Sequence, residues 1–142
     1  MPAERDLVTG VIQLANLLSR RLGPLFGKAK VTPQQWAVLS ALAAEDAPTT
    51  LVALSRRLGV TKQNMTGMIA RLEQLGLAER NDDPQDLRSS RVQLTRRGRT
   101  LVEKVRPSYE EWIASVGDGA LSERELQTLT RSVERLIEAL SS

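Results

Sequence analysis

A chain of 142 residues that is 41% hydrophobic has the size of one domain with a core, and a mean hydropathy of −0.25 speaks against membrane-spanning helices. It holds neither His nor Cys, which removes the commonest general base, the soft metal ligands and every thiol nucleophile or disulfide, so we expect no enzymatic activity, no metal and no cofactor, and neither thiol redox sensing nor histidine pH sensing. The net charge of +3 is uneven: residues 55–99 carry ten Lys/Arg against five Asp/Glu, whereas residues 100–142 carry five against eight, the footprint of a phosphate-binding face in the middle of the chain.

The start, Met1-Pro2-Ala3-Glu4-Arg5-Asp6, is charged and no long apolar run comes after it, so we expect no signal peptide and a cytoplasmic protein. Leu7, Val11, Leu14, Leu18, Leu22 and Leu25 recur at near-helical spacing, predicting a first helix over about residues 6–22 or a little beyond, which Gly23-Pro24 should end or bend. Leu51, Leu54 and Leu58 predict a short amphipathic helix over 50–58, ended by Gly59 in a left-handed conformation. Thr61 is an N-cap for a second helix whose stripe of Met65, Met68, Ile69, Leu72 and Leu75 runs up to Gly76.

Two helices joined by so tight a turn read as a helix-turn-helix, in which the second helix enters the major groove of DNA. Its opposite face carries Thr61, Lys62, Gln63, Asn64, Thr66, Gly67 and Arg71. Gln and Asn bond an adenine edge in bidentate fashion, Lys reaches guanine or phosphate, and Gly67 lets the backbone approach closely. A solvated face opposite an apolar stripe looks the same, but the strand pattern C-terminal to this helix favours DNA.

After Gly76, residues 77–80 and the alternating Arg91-Val92-Gln93-Leu94-Thr95 predict two strands, and the turn-rich residues 81–90 between them predict the tip of a hairpin, or wing. Arg88 and Arg91 are placed to meet a minor groove or the backbone. Asp82, Asp83 and Asp86 form the one dense acidic cluster, in a turn where Asp is favoured for backbone reasons, so a metal or catalytic role is not assigned to them. A helix over residues 96–115 bears Leu101, Val105, Tyr109, Trp112 and Ile113, with Pro107 as a kink. Ser122 and Glu125 form a capping box for a last helix striped by Leu126, Leu129, Val133, Leu136, Ile137 and Leu140.

The run from Thr61 to Arg80, the wing Asp83-Pro84-Gln85-Asp86-Leu87-Arg88 and the subsequent Leu94-Thr95-Arg96-Arg97-Gly98 resemble the MarR family of bacterial transcriptional regulators. The pattern Asp-Pro-x-Asp-x-Arg with Leu-Thr-x-x-Gly after it is fairly specific, and Val31-Thr32-Pro33-Gln34-Gln35-Trp36-Ala37-Val38-Leu39 is similar to the start of the family's second helix. Leu87 and Ser89-Ser90 depart from the pattern, standing where many members carry a basic residue and a more apolar strand entry.

The resemblance implies a mainly α fold with a small β-hairpin wing: a single domain, residues 1–142, with a winged helix-turn-helix DNA-binding lobe over about 32–99 and dimerisation helices over about 5–30 and 100–142. It implies a homodimer on double-stranded DNA, repressing from a pseudo-palindromic operator with half-sites about one helical turn apart. Asp86 would support the wing by pairing with Arg88 or Arg71. A small aromatic or anionic effector would bind between the two regions, with Phe26, Trp36, Tyr109 and Trp112 as candidate lining and Arg20, Arg21 and Arg106 as candidate anion partners. The same aromatics at helical spacing also read as plain core. A protein-interaction module and a nonspecific DNA coat stay open as alternatives.

Overall fold

Phe26, Val38, Leu39, Leu54, Met65, Ile69, Leu72, Val92 and Val102 are all but inaccessible to solvent, and together they mark where the core sits. The structure, a computed structural model, describes residues 2–83 and 86–141, with side chains described outside residues 83–89. In chain order it comprises α1 (Pro2–Gly27), α2 (Pro33–Ala43), β1 (Thr49–Thr50), α3 (Leu51–Leu58), α4 (Lys62–Gln74), β2 (Ala78–Asp83), β3 (Asp86–Leu94), α5 (Arg96–Ser115) and α6 (Glu123–Leu140).

The core forms where α2, α3, α4, the sheet and the first half of α5 meet. Helix α2 starts at the N-cap Thr32, whose hydroxyl accepts from Gln35 N at 3.0 Å while Gln35 Oε1 accepts from Thr32 N at 2.9 Å, with Pro33 in the first turn. It buries Trp36, Val38, Leu39, Ala41 and Leu42, and each large side chain so buried contributes about 1.5–3 kcal/mol.

Three expectations need correction. Helix α1 does not end at Gly23-Pro24 but continues to Gly27. Pro24 lacks the N–H that would bond the Arg20 carbonyl, yet the turn beyond it is held because Phe26 is fully buried and stacks on Trp36 with centroids 5.4 Å apart. Most of residues 81–90 are also not a loop, since β2 runs to Asp83 and β3 begins at Asp86. Polar cross-strand pairs carry the ladder outward: Gln93 Nε2 donates to Glu79 Oε1 at 2.6 Å and Ser90 Oγ to Asp82 Oδ1 at 2.5 Å, with an irregularity in register between Asn81 and Asp83. Finally, Thr95 is the N-cap of α5 and not a strand residue.

The sheet has an element that the sequence pattern did not announce. Thr49 and Thr50 pair with Val92 and Arg91, making β3 the central strand of the order β1-β3-β2. Thr50 then caps α3, its Oγ1 accepting from Ala53 N at 3.1 Å, so one residue ties the sheet to the helix pair.

Away from this core the apolar stripes of the terminal helices are uncovered. Leu7, Val8, Val11, Ile12, Leu14 and Leu17 of α1 are exposed, and so are Leu126, Leu129, Val133, Leu136, Ile137 and Leu140 of α6. Among the described residues no helix is long and apolar enough to cross a membrane.

Candidate nucleic-acid interface

Helices α3 and α4 are fixed to one another by local chemistry. Gly59 ends α3 at φ 68°, a left-handed conformation that glycine adopts without steric cost, and Val60 N returns to Ser55 O at 3.1 Å. Thr61, the next residue but one, caps α4 by accepting from Asn64 N at 3.0 Å. Met65, Ile69 and Leu72 then bury one side of α4 completely.

The other side of α4 faces solvent. Lys62, Gln63, Asn64, Thr66, Gly67 and Arg71 are all exposed, as is Thr61. Thr66 Oγ1 donates to Lys62 O at 2.9 Å and Arg71 Nη1 to Gln74 Oε1 at 3.2 Å, whereas the side chains of Lys62, Gln63 and Asn64 have no hydrogen-bond partner among the described residues. A Cβ built on Gly67 would meet nothing within 4 Å. Packing therefore does not require glycine there, although glycine in a helix interior costs about 1 kcal/mol relative to alanine.

Arg91 lies on the central strand opposite Asn81 and Thr50, with its side chain exposed. Arg80 and Asp82 form an exposed ion pair at 3.5 Å near the base of the wing. The expected contributions of Arg88 and of Asp86 rest on side chains outside the described set. Arg71, one of the two partners expected for Asp86, is engaged with Gln74.

The sequence motif Leu-Thr-x-x-Gly acquires a structural meaning at the C-terminal end of α4. Thr95 Oγ1 donates to Gly76 O at 2.6 Å and accepts from Gly98 N at 3.0 Å, while Thr95 N donates to Leu77 O at 3.1 Å. One threonine thus fastens the exit of α4 to the start of α5.

The four aromatic residues gather beside α2. Trp36 and Tyr109 meet edge to face at 5.2 Å, Phe26 and Tyr109 lie 6.0 Å apart, and Trp112 stacks on Tyr109 at 6.4 Å. Phe26 is core, but Trp36 and Tyr109 also line a cleft of about 370 Å³ together with Leu22, Ser40 and Arg57. Trp36 Nε1 is buried and has no hydrogen-bond partner among the described residues, and an unsatisfied buried donor is costly. Arg57, counted from sequence only toward the basic excess, reaches this cleft while pairing with Glu45 at 3.0 Å. Arg20, Arg21 and Arg106 do not line it.

A helix-turn-helix with a β wing, presenting exposed amide and ammonium groups from its second helix, defines a winged helix-turn-helix protein. Residues 29–89 match the MarR family. An uncharacterised protein of Mycobacterium tuberculosis is 30% identical over 136 residues, covering 96% of this chain and 93% of its own. The HTH-type transcriptional regulator FarR of Neisseria gonorrhoeae is 27% identical over 135 residues, 94% and 92% of the two chains. In three dimensions the fold is similar to that of overoxidized AbfR bound to DNA, with a TM-score of 0.78, 26% identity and coverage of 99% and 96%. The chain belongs to the MarR family of transcriptional regulators.

Proposed function

We propose that the chain acts as a homodimeric repressor that reads a pseudo-palindromic operator. The observation that carries this reading is the solvent face of α4, where Lys62, Gln63 and Asn64 stand unpartnered among the described residues on a helix anchored by Met65, Ile69 and Leu72. Placed in a major groove, the two amides suit adenine edges and the ammonium suits guanine or phosphate, with Thr61, Thr66 and Arg71 beside them and Gly67 admitting the DNA backbone. Arg91, and Arg88 with Asp86 behind it, serve the wing, which meets the flanking minor groove. The DNA-bound state of AbfR supports the same mode here.

The dimer is inferred from the uncovered apolar faces of α1 and α6. Those side chains gain from burial against a second copy, and a two-fold axis turns one reader into two, spaced about one helical turn apart. The lobe over about 32–99 does the reading, and the segments 5–30 and 100–142 make the pair. In the cleft beside Trp36 and Tyr109 the buried indole N–H, without a hydrogen-bond partner among the described residues, and Arg57 suit an acceptor-bearing aromatic or anionic effector, whose binding shifts the two lobes and lowers affinity for DNA.

Fluorescence anisotropy with a labelled operator-length duplex tests the reading. Affinity should fall steeply with salt, and Lys62→Ala should reduce the slope of log K against log salt by about one. Binding that ignores salt, or a Lys62→Ala protein identical to the parent, would contradict it.

A further inference from the structure

A second and larger cleft, of about 1000 Å³, lies between the end of α1 and the first half of α5, and neither Trp36 nor Tyr109 lines it. Its apolar wall is aliphatic: Leu25 from α1 and Leu101 and Val105 from α5, with Val105 only 8% exposed. Its charged rim is cationic, with Lys28 and Lys30 from the α1–α2 connection and Arg96, Arg97 and Lys104 from α5, and among the described residues no acidic one lines it. None of the five cations has an ion-pair partner among the described residues.

Two of these placements are unfavourable to the folded chain itself. Lys30 adopts φ 60°, and it is the one non-glycine among the described residues with positive φ; a side chain raises the energy of that conformation, which glycine or asparagine would fill more easily. Arg96 and Arg97 occupy the first turn of α5, which has no acidic residue there, so cations sit at the positive end of a 20-residue helix dipole. An anion beside Arg96 and Arg97 offsets the unfavourable charge at that helix end.

We propose that this cleft binds an organic anion with an aliphatic body, the acid group held by Lys30, Lys104 and the α5 arginines and the body laid on Leu25, Leu101 and Val105. Concavity and the aliphatic wall distinguish such a ligand from a DNA backbone, which cations on a convex surface meet without apolar support. The site is separate from the Trp36 cleft and does not rest on the DNA reading.

Calorimetry of the full chain with decanoate, decanol and inorganic phosphate tests the proposal. Decanoate should bind saturably, one per chain, with decanol and phosphate each at least tenfold weaker. The double variant Lys30→Gly, Lys104→Ala should lose at least tenfold in decanoate affinity. Lys30→Gly alone should be no less stable to heat, because glycine suits φ 60°. Failure of decanoate to saturate, equal binding of decanol, or undiminished binding by the double variant would overturn it. So would a double variant that loses DNA affinity while the parent shows no decanoate binding, which would assign the cations to phosphate contacts.

Discussion

A Cβ on Gly98 would stand 2.1 Å from the carbonyl oxygen of Leu77. The first turn of α5 is thus pressed against the residue that leaves α4, and the same oxygen accepts from Thr95 N at 3.1 Å. No backbone oxygen can yield that much space without moving the strand behind it, so the glycine of Leu-Thr-x-x-Gly is required by contact and not by its own backbone angles. We predict that Gly98→Ala destabilises the fold by about 1–3 kcal/mol, read from the midpoint of urea unfolding. A variant as stable as the parent would show that the junction is looser than described.

Gly67 gives the opposite expectation. Its missing Cβ has open space around it in the interior of α4. Gly67→Ala should therefore stabilise the fold by about 0.5–1 kcal/mol while weakening DNA binding, if the backbone of α4 lies against the duplex. Gain of stability with undiminished DNA affinity would remove that close approach from the account.

Gln63 and Asn64 are proposed to read bases, not phosphates. Alanine at either position should relax preference at particular base pairs by about 1–3 kcal/mol, measured by competition among duplexes that differ at single positions. A uniform loss across all sequences would make them backbone contacts.

The proposed dimer depends on α6, whose apolar side chains reach 58% exposure at Ile137 and 85% at Leu140. Sedimentation of the full chain should give a mass near twice 15.7 kDa, and removal of residues 121–142 should abolish most of the association or leave a poorly folded chain. A truncated chain that remained a stable dimer would place the contact elsewhere.

Acid should fray α6 from its N-terminus. The Glu125 carboxylate is held below its ordinary pKa by the Ser122 backbone N–H first and the Ser122 hydroxyl second. A depressed carboxylate stabilises the folded helix above the unfolded value and ceases to do so as pH falls through the folded one. Circular dichroism between about pH 6 and pH 3 should show helix loss that Glu125→Gln, which keeps a neutral capping box, makes less dependent on pH; an unaltered profile would mean the Glu125 charge adds nothing to the cap.

Caps and breakers made most of this fold legible, because Thr61, Gly59, Gly76 and the Ser122–Glu125 pair act through neighbours three or four residues away. The features that escaped depend on partners distant in sequence. Pro24 failed to end α1 because Phe26, two residues on, is anchored on Trp36, and β1 is only two residues long with its partners some forty positions later. The polar residues 81–90 read as loop because their pairing rests on cross-strand bonds such as Ser90 to Asp82 and not on an apolar period. The exposed face of α4 was legible residue by residue, since it is the complement of the buried stripe. Of the clefts, only Trp36 and Tyr109 were legible as candidate lining; the other walls were not, because α1, α2, α3 and α5 supply them from remote stretches of chain.

Selection of binding sites from random duplex DNA by the purified full chain, at moderate salt, separates a two-fold reader from a nonspecific binder. An inverted repeat with half-sites about one helical turn apart is the predicted result. Retention of DNA without a common motif, or of a single unrepeated half-site, would contradict a two-fold reader of a pseudo-palindromic operator.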